Sequence, residues 1–232
     1  MDFDLTPELD AHVQKSRHLA ETVLASAAVD IDTSGKIPEV VGAAVAAVVN
    51  WGLSPLGTVL ALEELAVTSA SAAAGAVLGG VDGAGLTGLR GVALVDDPTD
   101  QQQLGLASVC VGIGRAALSE ALGLLRRRGD RPSGEPADAP HWVLADAATE
   151  LEAARLLVRS AAQGGGPGAA SALVFAGRAA FQAVEAAVRL VGVDACRPGS
   201  TLERCGRDVR AARLVLGTED RVRLRAADRL LA

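Results

Sequence analysis

The stretch EAAVRLVGVDACRPGSTLERCGRDVRAARLVLGTEDRVRLRAADRLLA, Glu185 to Ala232, decides how the chain is read. A helical run closes at Gly192. Ser200-x-x-Glu203 then has the form of a capping box, with a hydroxyl for the third helical amide, and predicts a helix through Leu216. Thr218 is placed to cap the last helix, so Glu219 and Asp220 fall in its first turn, where carboxylates meet the positive end of the macrodipole. Asp208 and Arg210 are expected to form an ion pair within the bundle.

Working outward, the chain keeps this helical character. Aromatics make up 2% of its 232 residues and Tyr is absent, which favours helix over a sheet built on aromatic and β-branched residues. Half of the residues are hydrophobic, enough for a large core. The net charge of -6 provides no field for nucleic acid. The basic run Arg126 to Arg128 reads as a cationic helix C-terminus. Three Cys without CxxC or Cys/His spacing indicate neither a disulfide framework nor a metal site, and fit a reducing cytoplasm. The opening MDFDLTPELD is acidic and polar, unlike a signal peptide, and the apolar stretches broken by Asn50 and by Glu63-Glu64 predict no membrane segment.

Thr6-Pro7 opens a first helix through Leu24, Pro38 is the first residue of a second that Gly52 ends, and Ser54-Pro55 opens a third reaching Leu78. Within the third, Glu63-Glu64 reads as a solvated or inter-helix charge pair. Residues 79–97 are Gly-rich and leave room for one short strand, Gly91 to Val95, without the context of a dinucleotide fingerprint. Asp97-Pro98 starts a long helix to about Arg128, in which Gly112, Gly114, Ala116 and Ala117 admit a close neighbour. After a Pro/Gly-rich turn come helices from His141 to Ala162 and from Ala170 to Gly192, the latter with Phe175, Phe181 and Val188 pointing inward.

This pattern resembles the acyl-CoA dehydrogenase family. LVGVDA at Leu190 to Ala195, ERCGRDVR at Glu203 to Arg210 and LVLGT at Leu214 to Thr218 match the turn, the RDxR pattern and the YEGT-like segment at the family's C-terminal end. MDFDLTPEL, IDTSGKIPEVV, VCVGIGRAALSEALGLL and HWVLADAATELEAARLLVRSAA are similar to further segments of it. The resemblance implies a mostly α fold: an N-terminal helical domain over 1–78, a C-terminal four-helix bundle over 98–232, and residues 79–97 as the short loop left of the β-barrel domain.

The same resemblance directs attention to particular positions. Leu216 holds the place of the family's catalytic Glu, and Leu104 that of an alternative base. Gly192-Val193 stands for a Gly-Gly turn that approaches the flavin's adenosine part. The Arg that reaches the flavin diphosphate of a neighbouring subunit is matched by Asp130, with Arg131 as the candidate substitute, and the Phe-Gly pair by Ser133-Gly134. His141, Glu219 and Asp220 remain as candidate acids or bases. The expectation is an acyl-CoA dehydrogenase-like protein that does no flavin-dependent dehydrogenation alone. It would bind an acyl thioester on CoA or acyl carrier protein for non-redox chemistry, or serve as a partner subunit, in a homo-oligomer or with a full-length relative. FAD is expected only with such a partner. A helical scaffold without a small ligand is the third reading.

Overall fold

The computed structural model describes residues 5–49, 54–79, 89, 95–128, 139–166 and 168–231. The Thr6 hydroxyl accepts from the Leu9 N–H at 3.4 Å and starts α1, Pro7–Leu19. A five-residue π turn, Ala20–Leu24, interrupts the winding, and the helix resumes as α2, Ala25–Ser34. Gly35, at φ 69°, ends it in the left-handed region. Pro38 is the N-cap of α3, Glu39–Ala46, one residue short of the expected role, and Gly52 lies outside the described residues.

The run expected to reach Leu78 is two helices. Ser54 caps α4, Pro55–Thr68, and buried Ser69 adopts an extended backbone (φ -145°, ψ 96°). Its hydroxyl accepts from the Ala72 N–H at 3.3 Å and starts α5, Ala70–Leu78. A cap thus replaces one helical turn, which lets α5 leave the direction of α4.

The next helix, α6, spans Asp100–Arg128. Its start also corrects the expectation at Asp97-Pro98. The Thr99 N–H donates to Gln102 Oε1 at 2.9 Å and the Gln102 N–H to Thr99 Oγ1 at 3.2 Å, a reciprocal capping box. Then come α7, Ala139–Ala162, and α8, Ala169–Val191, followed by a 3-10 turn, Gly192–Cys196. Ser200 caps α9, Thr201–Ala212, which ends before Leu216 because the chain turns there toward α10, Glu219–Leu231. Among the described residues there is no strand beyond an isolated bridge at Lys36; of the expected strand only Val95 is described, and it carries none.

Helix α6 is central to the described fold, packed against α4, α5, α7, α8 and α9. Glycine makes these crossings close. A Cβ on Gly112 would lie 2.6 Å from both Ala66 Cβ and the Glu63 carbonyl oxygen, and one on Gly114 would lie 2.7 Å from Leu151 Cδ1. Alanines at 116, 117, 176, 180 and 183, all buried, continue the small-residue packing. The segments Asp100–Arg127 and Ala169–Cys196 are long and apolar enough to cross a membrane, contrary to the reading from the sequence. Their apolar faces are covered by the other bundle helices.

Phe175 is exposed rather than inward, while Phe181 and Val188 are half-buried. Residues two apart on a helix do not face each other, so Arg210 turns from Asp208 to Glu185 of α8 at 2.9 Å. Arg207 reaches back to α2, binding both oxygens of Asp32 at 2.9 and 2.8 Å. Those hydrogen bonds, with a second set that Arg207 donates to Glu203, push its already high pKa further up.

Candidate functional site

The short turn between α9 and α10 brings the matched C-terminal residues together. Gly217, at φ 103°, allows the reversal, and the Thr218 hydroxyl accepts from the Arg221 N–H at 3.4 Å. Leu216 points into the protein and is 1% exposed. The chain entering α6 lies across this turn: the Val95 N–H donates to the Val215 carbonyl at 2.9 Å. Arg225 ties the two together, donating to the carbonyls of Leu216 at 3.1 Å and Asp96 at 2.7 Å. The position that the resemblance assigns to a catalytic carboxylate is therefore apolar and buried. Leu104, where the resemblance puts an alternative base, is also buried.

Beside Leu216 a recess of about 320 Å³, including the space open to solvent, is lined by Leu173, Gly177, Arg213, Gly217, Glu219 and Val222. Glu219 is its carboxylate, already bound by Arg213 and by Arg223. The Arg213 hydrogen bond holds the Glu219 carboxyl below the usual carboxylate range, against the opposing effect of burial. Arg213 itself lies over the Phe181 ring, 4.9 Å from its centroid, with Arg210 at 5.3 Å. Asp220 does not share the recess lining; its side chain is 85% exposed and meets Arg223 at 3.1 Å. Of the two adjacent acids, Glu219 lines this recess and Asp220 does not.

His141 lies in α7, but its side chain is outside the described residues, as are Asp130, Arg131, Ser133 and Gly134. Gly192 is at φ 77° with open space where a Cβ would be, and Val193 next to it is 85% exposed. The turn that the resemblance matches to Gly-Gly thus presents a β-branched side chain outward. Arg213 and Arg225 were not singled out from the sequence. Their signal was spacing: each lies within nine residues of Leu216, Arg213 at the C-cap of α9 and Arg225 in α10.

A second cluster of charge lies elsewhere among the described residues. Glu63 and Glu64 of α4 are both buried, and four arginines from three helices surround them. Arg115 of α6 bonds both carboxylates, with Glu64 at 2.8 Å, and Arg17 of α1 donates to Glu64 at 3.0 Å. Arg155 and Arg159 of α7 approach Glu63 at 2.8 and 3.8 Å. Burial pushes the Glu64 carboxyl up, but the Arg17 hydrogen bond and the Arg115 charge outweigh it, so its pKa falls below the ordinary value. The pair expected to be solvated or inter-helix is inter-helix and enclosed.

Two buried thiols have raised pKa values of about 12, Cys110 and Cys205, both through burial. Among the described residues, no group of three or more His, Cys, Asp and Glu is arranged for a metal.

A family model described as acyl-CoA dehydrogenase, C-terminal domain, matches residues 90–231. A 3-sulfinopropanoyl-CoA desulfinase from Advenella mimigardefordensis is 32% identical over 149 residues, 61% of this chain and 37% of its own length. One from Variovorax paradoxus is 34% identical over the same shares. The chain thus spans well under half the length of these curated relatives. Among solved structures, butyryl-CoA dehydrogenase from Megasphaera elsdenii superimposes with a TM-score of 0.80 at 17% identity, covering 100% of both chains. A glutaryl-coenzyme A dehydrogenase in complex with glutaryl-CoA gives 0.77 at 16%, covering 100% of this chain and 97% of that one.

Proposed function

The chain belongs to the acyl-CoA dehydrogenase family, and from that premise we propose that this member binds an acyl thioester without performing flavin-dependent dehydrogenation by itself. The observation that supports this reading is Leu216, buried at the position that the resemblance assigns to the proton acceptor. Dehydrogenation beside a thioester removes the α-proton to a base and the β-hydrogen as hydride to a flavin. A leucine takes no proton, and Glu219, the carboxylate at the recess, is committed to two arginines.

The described residues also fit a flavin poorly. The Gly192-Val193 turn carries an exposed valine where the resemblance places a second glycine that permits close backbone approach. What remains is non-redox chemistry on an acyl group held by CoA or an acyl carrier protein. The relatives named as desulfinases of an acyl-CoA agree with such a substrate class. Three free cysteines, one of them exposed, are consistent with a reducing compartment such as the cytoplasm.

A second reading is favoured by the short link between α5 and α6. If residues 79–97 stand in place of the barrel domain, a full-length relative in a hetero-oligomer would supply the barrel, FAD and base, and this chain would be its partner subunit.

The full chain titrated calorimetrically with butyryl-CoA, then assayed with added FAD and an artificial electron acceptor, separates these. Saturable binding without turnover supports the first reading. Turnover only after mixing with a full-length relative supports the second, and turnover by the chain with FAD alone refutes both. Absence of any thioester binding, alone or mixed, leaves a helical scaffold.

A further inference from the structure

We infer that α10 and the chain entering α6, residues 95–100, form a clasp over the buried Leu216 that opens as one unit while the bundle beneath stays folded. The clasp is a property of the fold and stands apart from the thioester reading.

Helix α10 is held to the bundle differently from its neighbour. Helix α9 buries Leu202, Cys205, Val209 and Ala212, whereas Val222 is the one residue that α10 buries. Leu224, Leu230 and Leu231 are exposed. With so little apolar area withdrawn from water, hydrophobic burial contributes little to keeping α10 in place.

Polar contacts hold it instead, along one side of the helix. Arg221, Arg225 and Arg229 recur at i, i+4 and i+8, which places them on one face. Arg221 meets Asp96 at 3.5 Å and Arg229 meets Asp100 at 3.7 Å, both between exposed side chains. Between them Arg225 donates to the carbonyls of Leu216 at 3.1 Å and Asp96 at 2.7 Å, so one guanidinium bonds the C-terminal turn and the entering chain at once. The Val95 N–H, on the Val215 carbonyl at 2.9 Å, closes the same junction. Losing Arg225 therefore frees both pieces together.

Electrostatics favour release in salt. Exposed ion pairs are weak and are screened as ionic strength rises. Toward its far end, α10 sets Arg229 against Gly168, the N-cap of α8, which has no side-chain cap; a Cβ there would lie 2.7 Å from the guanidinium carbon. The start of α8 is the positive end of its macrodipole and opposes that cation. Opening removes Glu219 and Val222 from the recess beside Leu216 and leaves Leu173 and Gly177 of α8 facing water.

Hydrogen exchange of the full chain, followed by NMR, tests this at two amides with defined acceptors: Val95 on Val215, and Val222 on Thr218 at 3.1 Å. Buried Val109 of α6 is the reference. Val95 and Val222 should share one protection factor, below that of Val109, and both should lose about threefold or more between about 0.05 and 1 M sodium chloride while Val109 does not. Arg225→Gln should lower both by about tenfold or more, the loss of charge-assisted hydrogen bonds. Combined Arg221→Gln and Arg229→Gln, which alters exposed pairs alone, should act in the same direction by about threefold, and serves if the Arg225 variant does not fold. Val222 exchanging without Val95 would reduce the clasp to fraying of a terminal helix and overturn it. Protection equal to that of Val109, or indifference of both amides to salt and to these substitutions, would overturn it as well.

Discussion

Two places in this protein gather carboxylates beside arginines, and they differ in depth. Around Glu63 and Glu64 the charges are enclosed by α1, α4, α6 and α7. At the turn from α9 to α10, the enclosed position holds Leu216, and the acids sit outside it on the first turn of α10. The enclosed charges join helices, and the position that resemblance assigns to chemistry carries none. Burial of a carboxylate, usually a pointer to function, here marks a structural crossing.

The comparison breaks first at Glu63. Replacing it with Gln leaves three guanidinium groups facing a neutral amide, and removal of one member of a buried ion cluster costs about 3–5 kcal/mol. Urea denaturation checks this; a loss below about 1 kcal/mol would place the cluster with ordinary surface pairs.

Leu216→Glu attacks the other side. A carboxylate buried without a prepared partner has its pKa raised, so the variant should lose about 2–4 kcal/mol at neutral pH. The sign follows from the raised value: the penalty grows as pH rises through the unfolded pKa and is relieved in acid. If the variant is instead as stable as the parent and gains turnover with FAD, the leucine was the one missing part.

Glu64 sharpens the contrast in the opposite pH direction. Its folded pKa is lowered, so its contribution is present above the unfolded value of about 4.3 and is lost as pH falls through the folded one. Glu64→Gln should flatten the acid limb of the stability profile, measured by thermal melts across that range. The smallest effect is expected at Asp220, whose exposed pair with Arg223 makes Asp220→Asn neutral within about 0.5 kcal/mol.

Much of this fold was legible because helix ends are written locally. Thr6-Pro7, Ser54-Pro55, Ser200 and Thr218 all cap where their chemistry directs. The misreadings arose where two local signals competed. Asp97-Pro98 resembles a helix start, but Thr99-x-x-Gln102 offers two reciprocal bonds and wins. Ser69 sits in an alanine-rich run that hides a cap in mid-helix. That position 216 is apolar can be read from the sequence directly, and the structure adds that it is buried. The partners of Glu63 cannot be read so, since Arg115 and Arg155 lie far along the chain and meet it only once Gly112 lets α4 and α6 touch.

The widened turn at Ala20–Leu24 has a bearing on both charged contacts of the first helical stretch. One residue of winding is about 100° of rotation, so this turn sets the angular phase between the two halves. Upstream, Arg17 meets Glu64; downstream, Asp32 meets Arg207 and Ile31 is fully buried. Winding the same residues as regular α-helix, with none deleted, would swing the downstream half by roughly 100°. Asp32 would be carried away from its guanidinium and a polar neighbour delivered to the place of Ile31. The irregularity works as a gear between two docking faces, and smoothing it would undock one of them.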